Sequence, residues 1–460
     1  MHAFENYFVR STVQLSCAVT FREGFGRMVS SCIHQLVNKP FIRRRNLASA
    51  LISVSLTYSM GCADSAAPEL DHAPSGLDGS AVSACAGLKD GTEPEPFESA
   101  LARKVCDPVI PEMDLGNRSG VEIVLKRVVD NADDSLSTLL HLQHLFGANA
   151  TTKQRSTDSP SLISDLICNG DLARKHFGYG SVLAKTRHGL RFPLLEPWAL
   201  ALDQSVTQSH PGQGLASLAS AGVAKNTPVT VHDQLGPFFV KDIFNDVVAN
   251  FFLDGEIYWD AVGIAIYLPP QKTWTNKFGE EYSFDQLVEE LIRRPPADSS
   301  CSGTHGLISL TIMLRVDLEV SILSSAVRKR LDSHLREVVD CLQTGQTSEG
   351  GWGRDWWAPR PGDPMPSSSR QSDDDVILST GHHLEWLMLL PVDLQPSSET
   401  VNVAARHLLR LLLARSEDAA WLRENFCPAT HAARSIGLLS GVVSRHPAPL
   451  ERSFHIQAEQ

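Results

Sequence analysis

The sequence lacks the excess of basic residues that a nucleic-acid-binding surface requires. Its 53 Asp and Glu residues outnumber 41 Lys and Arg residues, and the formal net charge is -12. Proteins that neutralise phosphate groups usually carry a basic patch, so we expect no nucleic acid among the partners. The same charge balance also argues against an electrostatic attraction to anionic membranes or polyanions.

The sequence also lacks closely paired cysteines. None of the nine cysteines forms a CxxC pair, which argues against a zinc ribbon and a thioredoxin-type motif. Cys85 and Cys106 are the expected local disulfide, because both lie in a loop-rich stretch of a chain that we expect to be exported. Cys301 and His305 are interpreted as the one Cys/His pair at helical spacing, with no third ligand identifiable. The sequence therefore predicts no metal site and assigns no cofactor.

Strand-like alternation of apolar and polar residues is scarce as well. The only strand candidates are 121–129 and a short piece at 188–194. From about residue 116 onward, apolar residues recur at helical spacing instead. Hydrophobic residues make up 42% of the chain, which can supply a sizeable core. We therefore predict an all-α domain over 116–445, followed by a C-terminal tail over 446–460.

The predicted helices are of two alternating kinds. One set is apolar nearly all round, as buried helices are, and the other is amphipathic and would cover the first. The apolar set is 210–223, 256–268, 304–317, 382–390 and 430–443, and the amphipathic set is 231–250, 284–293, 326–344 and 399–415. Other helices are expected at 135–147, 161–178 and 195–206. The starts at 210, 256, 305, 382 and 431 are 46, 49, 77 and 49 residues apart, which is typical of an array of helical hairpins.

One segment carries a resemblance to a known family. Gln346-Thr347-Ser348-Glu349-Gly350-Gly351-Trp352 matches the pattern Q-x-x-[DE]-G-x-W. It resembles the QW repeat of terpene cyclases, in which the Gln and Trp tie helix ends to loops of an (α/α) toroid. A single copy is present, and Asp373-Asp374-Asp375 is neither the DxDD acid motif nor the DDxxD metal motif of such enzymes. The resemblance implies a full or partial (α/α) toroid and gives little support to terpene cyclisation.

A second segment carries a fainter likeness. Gly381-His382-His383-Leu384-Glu385-Trp386-Leu387 is similar to the G-H-x-x-E-W helix starts of the N-acylglucosamine 2-epimerase group. That group also has an (α/α) barrel and acts on sugars. The likeness covers seven residues, and it implies the same architecture as the QW-like motif.

Histidines recur beside the starts of the apolar helices. His210, His305, His382 and His431 each follow a Ser or Thr closely, and Ser and Thr are good N-caps. In a toroid the inner helices start at one end of the ring, so these histidines are expected around one mouth. Glu385 shares a helix face with His382 and could fix its tautomer. Because imidazole titrates near neutrality, we predict that these five residues are catalytic acids and bases; the alternative is that each histidine packs structurally.

Further side chains are expected to contact a substrate. Glu256 and Trp259 belong to an apolar helix start and would lie beside the histidines. The loop carrying Trp352, Asp355 and Trp356 could form a platform over the cavity, because indole faces stack on sugar rings and bind cations. The alternative for this loop is packing against the neighbouring helices.

The N-terminal region predicts export. A basic cluster at Arg43–Arg45 precedes an apolar run of about a dozen residues, which is the order of a secretory signal and too short to span a bilayer comfortably. Ser59-Met60-Gly61-Cys62 resembles the lipobox of bacterial lipoproteins. The resemblance implies that Cys62 is acylated, with palmitate as an expected acyl group. The acylated Cys62 would anchor the chain in a membrane. Plain secretion and a short buried helix are the alternatives.

The residues on either side of this signal indicate the expected domain limits. Residues 1–62 are the leader and signal peptide, and Met28 is a candidate start that would leave 1–27 untranslated. Residues 63–115 are rich in small, polar and proline residues and are expected to be a flexible linker. The mature protein is therefore expected on the periplasmic or extracellular side of the cell envelope.

Three functions remain open from the sequence. The first is an envelope binding or scaffold module that holds a protein or glycan. The second is a carbohydrate-active (α/α)-barrel enzyme that uses His and Glu at the toroid mouth, although no glycosidase-type carboxylate pair stands out. The third is a terpene-cyclase-like protein. Fold class alone does not decide among them.

Overall fold

Apolar residues at helical spacing form helices over most of the described chain. The computed structural model describes residues 95–147, 163–177, 181–194, 207–231, 234–295, 300–357 and 371–443. They belong to one compact unit, Gly79–Gln460. The chain is mostly helical, in agreement with the predicted all-α class. The α-helices of the described part are α1 (Phe97–Cys106), α2 (Arg118–Asp130), α3 (Leu136–Phe146), α4 (Ile163–Cys168), α5 (Gly170–Phe177), α6 (Gln213–Ser220), α7 (Val240–Asn250), α8 (Tyr258–Tyr267), α9 (Phe284–Arg293), α10 (Thr304–Val320), α11 (Ser325–Gly345), α12 (Asp373–Leu389), α13 (Ser398–Arg415), α14 (Ala419–Glu424) and α15 (Phe426–Leu439).

Within the described ranges, three short antiparallel hairpins lie between the helices. They pair β1 (Ala184–Lys185) with β2 (Leu190–Arg191), β3 (Pro228–Val231) with β4 (Gln234–Phe239), and β5 (Thr273–Thr275) with β6 (Glu281–Ser283). In the first hairpin Lys185 pairs with Leu190, in the second Thr230 pairs with Leu235, and in the third Trp274 pairs with Tyr282. The first hairpin contains part of the strand expected at 188–194.

Six helices contact one another in a closed order. Going round, α3 packs against α6, α6 against α8, α8 against α10, α10 against α12, α12 against α15, and α15 against α3. Five of them contain the predicted apolar segments, as in α8, where every residue except Asp260 is buried, and the sixth, α3, was not assigned to either set. Amphipathic helices lie outside them, with α7 against α8, α9 and α11 against α10, and α13 against α12 and α15. The apolar and amphipathic sets of the sequence thus occupy inner and outer positions.

The segment around α1 covers the carboxyl ends of the inner helices. α1 packs against α6, α8 and α10. The Val109 N–H donates to Met388 O at 2.7 Å, and the Met113 N–H donates to Leu439 O at 2.6 Å, so α12 and α15 each meet this segment close to their last residue. This helix lies within 63–115, which the composition predicted to be linker.

The QW-like motif joins three helices at the end of α11. The Gln346 amide donates to Thr400 O at 2.9 Å in α13. The Trp352 indole N–H donates to Leu342 O at 2.8 Å in α11, and the Trp352 backbone N–H donates to Thr380 Oγ1 at 2.8 Å in α12. The motif therefore fastens outer helices α11 and α13 to inner helix α12.

Two segments adopt a different secondary structure from the one expected. The strand candidate 121–129 is helix α2, because Val121, Val124, Leu125 and Val128 are buried at helical spacing and Asn117 caps the helix. The helix expected from 231 begins only at Val240. Proline at 237 has no N–H to donate to a preceding helical turn, and it lies in β4 instead.

Several helix boundaries also differ from the prediction. α12 begins at Asp373, where the Ser372 side chain accepts from the Asp375 N–H and three aspartates favour the helix N-terminus. α15 begins at Phe426. The expected helix 161–178 is two helices, since the Asn169 side chain caps the second. The predicted helix 195–206, the signal with Cys62, and the tail lie outside the described residues.

The cysteines of the described part are mostly free. Cys106, Cys301, Cys341 and Cys427 carry free thiols, so the expected Cys85–Cys106 disulfide is wrong. Cys168 is disulfide-bonded. Within the described ranges, no helix has both the length and the apolar character needed to cross a membrane.

Candidate functional site

Six imidazole rings form a continuous chain inside the closed order of helices. Each belongs to an inner helix or to the turn just before one. The distances between ring centroids are 5.0 Å from His210 to His305, 5.6 Å from His305 to His382, 3.9 Å from His382 to His431, 5.1 Å from His431 to His144 and 5.4 Å from His431 to His141. Four of these residues, His210, His305, His382 and His431, were predicted as catalytic.

Glu385 is the buried anion of this cluster. Its carboxylate accepts from His431 Nδ1 at 2.6 Å and from His144 Nε2 at 3.1 Å, and Arg434 Nη1 lies 3.3 Å away. Burial by itself would raise the pKa of Glu385, but His431 and His144 outweigh burial and hold that pKa well below 4.5. Glu385 is therefore ionised at neutral pH although only 1% of it is exposed.

The histidines around Glu385 are neutral. Burial lowers the pKa of His431 well below 6.5 and that of His141 to about 4. Burial, followed by the charge of Arg434, also lowers the pKa of His144. Because His431 Nδ1 donates to Glu385 and His141 Nδ1 donates to Ser137 O at 2.6 Å, the Nε2 atoms of these two rings carry lone pairs.

A second His/Glu pair lies at the more open end of the chain of rings. His210 Nδ1 donates to Glu256 Oε1 at 2.7 Å, and the Ser300 hydroxyl donates to the same oxygen at 2.7 Å. Burial opposes ionisation of both groups, but their mutual hydrogen bond raises the pKa of His210 and lowers the pKa of Glu256. Both side chains are half-buried, and the two pKa shifts favour the imidazolium–carboxylate form of the pair.

A pocket opens beside the neutral histidines. Its volume is about 10 Å³, the space of roughly one water molecule, and it is lined by Leu140, His141, His144, Gln213, Ala216, Ser217, Ser220, Trp259 and His431. Two buried polar atoms of this wall, Gln213 Oε1 and Trp259 Nε1, have no protein partner. Buried acceptors and donors rarely stay unpaired, so the wall is suited to a water or to a ligand hydroxyl group.

The structure gathers part of the predicted substrate-binding set at this site. Glu256 pairs with His210, and the Trp259 ring lies 4.8 Å from the His305 ring and 6.3 Å from the His144 ring. Both side chains therefore border the chain of imidazoles.

The Trp loop does not form the expected open platform. Trp352 is fully buried, and Trp356 is buried with its N–H donating to Ser302 O at 2.8 Å. Both rings pack against His383, at 5.6 Å and 4.4 Å. Asp355 is exposed. The loop therefore packs against helix α12, which was the alternative left open for it.

The sequence interpretation missed four residues of the site. From the sequence, His141 and His144 are interpreted as packing residues on one face of the helix expected at 135–147, but both lie in the chain of rings. Cys301 was left without a third ligand, and Cys427 was overlooked. Cys427 and His431 are four residues apart, so Cys301 with His305 is not the only Cys/His pair at helical spacing.

Metal-binding side chains converge in the cluster although the sequence predicted no metal site. Four groups of three side chains in the described part have ligand atoms within 4.8 Å of one another. They are His141, Cys427 and His431; Cys301, His382 and Cys427; His144, Glu385 and His431; and His210, Glu256 and His305. The first three sets share Cys427 or His431 and cannot all be occupied at once, whereas the fourth has no member in common with them.

Comparisons of the chain with protein-family models, with curated proteins and with solved structures give no match. The function is therefore argued from the geometry and charge of the site itself.

Proposed function

We propose that this chain is an exported, lipid-anchored enzyme of the bacterial cell envelope that performs acid–base catalysis on a small, hydroxyl-bearing substrate. One observation carries the proposal. Imidazoles whose pKa values are shifted in opposite directions, upward for His210 and downward for His141 and His431, lie along one chain of rings, and the latter two line the pocket. Pairs of titratable groups whose pKa values are pushed apart by their surroundings are typical of acid and base partners in active sites.

The architecture that we propose for this enzyme is an (α/α) toroid. The closed order of six inner helices, with amphipathic helices packed outside, supports it. The contacts of Gln346 and Trp352, which fasten helix ends, also fit the structural role that the QW-like resemblance implies. In such a ring the interior is the natural place for a site.

The two His/Glu pairs receive different roles in this proposal. His210, whose pKa is raised by its hydrogen bond to Glu256, is the general acid. His431, kept neutral by burial and oriented by Glu385, is the general base, because its Nε2 has a free lone pair beside the pocket. A carboxylate that fixes the tautomer of a catalytic histidine is a common arrangement.

The pocket wall supports a hydroxyl-bearing substrate. Gln213 Oε1 can accept a hydrogen bond and Trp259 Nε1 can donate one, and a hydroxyl group does both. The indole ring of Trp259 adds an apolar face of the kind that packs on sugar rings. We therefore favour a substrate that presents one hydroxyl group to this wall, and the carbohydrate-active alternative from the sequence makes sugars and amino sugars the class to test.

The site supports catalysis more than a scaffold role. A scaffold needs surface complementarity, and it gains nothing from four buried and two half-buried imidazoles, two of which have unpaired nitrogen atoms. Burying polar groups without partners costs free energy, so their concentration inside the inner helices favours a function that uses them.

The test is turnover of a sugar panel by the purified chain. Aldoses, amino sugars and N-acetylated amino sugars are incubated with the protein in D2O, and NMR spectroscopy follows new products and exchange of carbon-bound hydrogen. We expect at least one sugar to react, and His210→Asn to lower kcat by about 10²–10⁴. His334→Asn, a half-buried histidine on α11, is the matched control and should leave kcat unchanged.

The pH profile separates the acid role from a structural one. Because the acid must be protonated, activity should fall as pH rises through the pKa of His210. Glu256→Gln removes the partner that raises this pKa, so the alkaline limb should move to lower pH. Full activity of His210→Asn, or an unshifted limb in Glu256→Gln, would contradict the proposal.

A further inference from the structure

We propose that Cys301, His382 and Cys427 bind one divalent transition-metal ion of the zinc type, through two thiolates and one imidazole. The sulfur atoms and an imidazole nitrogen lie within 4.8 Å of one another. Zinc bound by two Cys and one His is an established catalytic ligand set, with the fourth position left for water or substrate. This inference goes beyond the acid–base roles proposed above and stands on different residues.

His382 is oriented as a metal ligand. Its Nδ1 donates to Leu378 O at 2.8 Å, so the other ring nitrogen carries the lone pair. That atom, Nε2, is buried without any protein partner, and the whole side chain is inaccessible to solvent. Metal-binding histidines commonly bind a carbonyl or carboxylate through the remaining nitrogen, which fixes the tautomer. An ion on Nε2 would satisfy an otherwise orphaned atom.

Cys301 is positioned by unusual backbone geometry. Cys301 and Ser302 both have left-handed conformations, with φ of 50° and 58°. Such conformations cost about 1–3 kcal/mol each for residues other than glycine and persist only where the surroundings impose them. The Trp356 indole donates to Ser302 O at 2.8 Å, and the Thr304 hydroxyl donates to Cys301 O at 2.6 Å. Trp356 is therefore a positioning residue for the thiol of Cys301.

Cys427 completes the set from α15, one turn before His431. Both thiols of the set are free and half-buried, so an ion can reach them. Thiolate ligands favour Zn²⁺ over Mg²⁺ or Ca²⁺. The thiols must lose their protons to the solvent as the ion binds, so binding should weaken as pH falls. A water in the open fourth position would be acidified by the ion, next to the imidazole of His431.

The test is cobalt binding by the whole chain, kept reduced and first stripped with a chelator. We expect one Co²⁺ per chain, with a thiolate-to-cobalt charge-transfer band and the visible bands of tetrahedral Co²⁺. Cys427→Ser and His382→Asn should each weaken Co²⁺ binding by at least about 100-fold, since even outer-shell changes cost 10–100-fold. Cys341→Ser, a free cysteine on α11, is the matched control and should bind normally.

The outcomes distinguish this site from its neighbours. Loss of the band in His141→Asn but not in His382→Asn would overturn the proposal in favour of the set centred on His431. Stoichiometric binding without a thiolate band would overturn it as well. X-ray absorption of the zinc-loaded wild-type chain needs no variant, and it should count two sulfur ligands. Because none of these readouts needs a substrate, a metal-binding chain without sugar turnover would refute only the proposed enzymatic function.

Discussion

The buried carboxylate of Glu385 should be the costliest charge in the cluster to remove. Glu385→Gln keeps the shape of the side chain but removes the charge that pairs with His431 at 2.6 Å, His144 at 3.1 Å and Arg434 at 3.3 Å. Hydrogen bonds to charged groups contribute about 1.5–3 kcal/mol each, and breaking a buried ion pair costs about 3–5 kcal/mol. Because Gln still offers one acceptor, we expect a loss of about 3 kcal/mol at pH 7.

The direction of the pKa shift of Glu385 determines how the difference in stability should change with pH. The pKa of Glu385 in the folded chain lies well below its ordinary value of 4.5. A depressed carboxyl pKa contributes stability that is present above the ordinary value and is lost as pH falls through the folded value. The difference in stability between the wild type and Glu385→Gln should therefore be constant above about pH 5.5 and should shrink in acid.

Urea unfolding followed by tryptophan fluorescence, in the presence of a chelator, measures this difference at several pH values. Glu399→Gln is the matched control, because Glu399 is exposed in the first turn of α13, and it should change stability by less than about 0.5 kcal/mol. A variant at Glu385 that is as stable as the wild type at pH 7 would refute the reasoning. So would a difference that stays the same in acid.

Three further changes test the packing and the anchor. Gly381→Ala should destabilise the chain by about 1–3 kcal/mol in urea unfolding, because the new Cβ would lie 2.8 Å from the Ala432 Cα. Gly306→Ala is the control: its new Cβ meets only ordinary contacts, so the variant should be neutral or slightly stabilising. Trp352→Phe removes the bond to a carbonyl and should cost about 1 kcal/mol, against about 3–5 kcal/mol for Trp352→Ala, by the same measurement. Cys62→Ala should abolish palmitate labelling and move the chain from the membrane fraction to the soluble fraction, and labelling that survives would refute the anchor.

Hydrophobic periodicity predicted the helical class and the division into inner and outer helices, because the pattern of buried apolar residues determines both. It did not predict the helix ends, because local polar groups determine where a helix begins. α12 begins nine residues before the expected start at 382, since Ser372 and the aspartates favour an N-terminus but carry no apolar signal. α7 begins nine residues after the expected start at 231, because the strand and proline before it interrupt an apparently continuous apolar pattern.

The near-regular spacing of the inner helices explains why the histidines could be expected to converge. His210 pairs with Glu256, and Glu385 pairs with His431, each across 46 residues in sequence. Residues that are one repeat apart in sequence therefore lie at the same level of neighbouring inner segments. Which ring faces which carboxylate depends on helix rotation and rotamers, and a single sequence does not specify either. The assignment of Trp352 and Trp356 to a surface failed for the same reason, since indoles are as common in packing as in binding.

The repeat in the sequence predicts the level of the two cysteines in the inner helices but not the distance between them. Cys301 lies four residues before His305, and Cys427 lies four residues before His431, so the two pairs are equivalent positions 126 residues apart. That equivalence places both thiols at the same level of the inner helices. It does not bring them together, because α12 lies between α10 and α15 in the closed order. Their approach requires a narrow interior, and the width of the interior is set by side-chain packing over the whole ring.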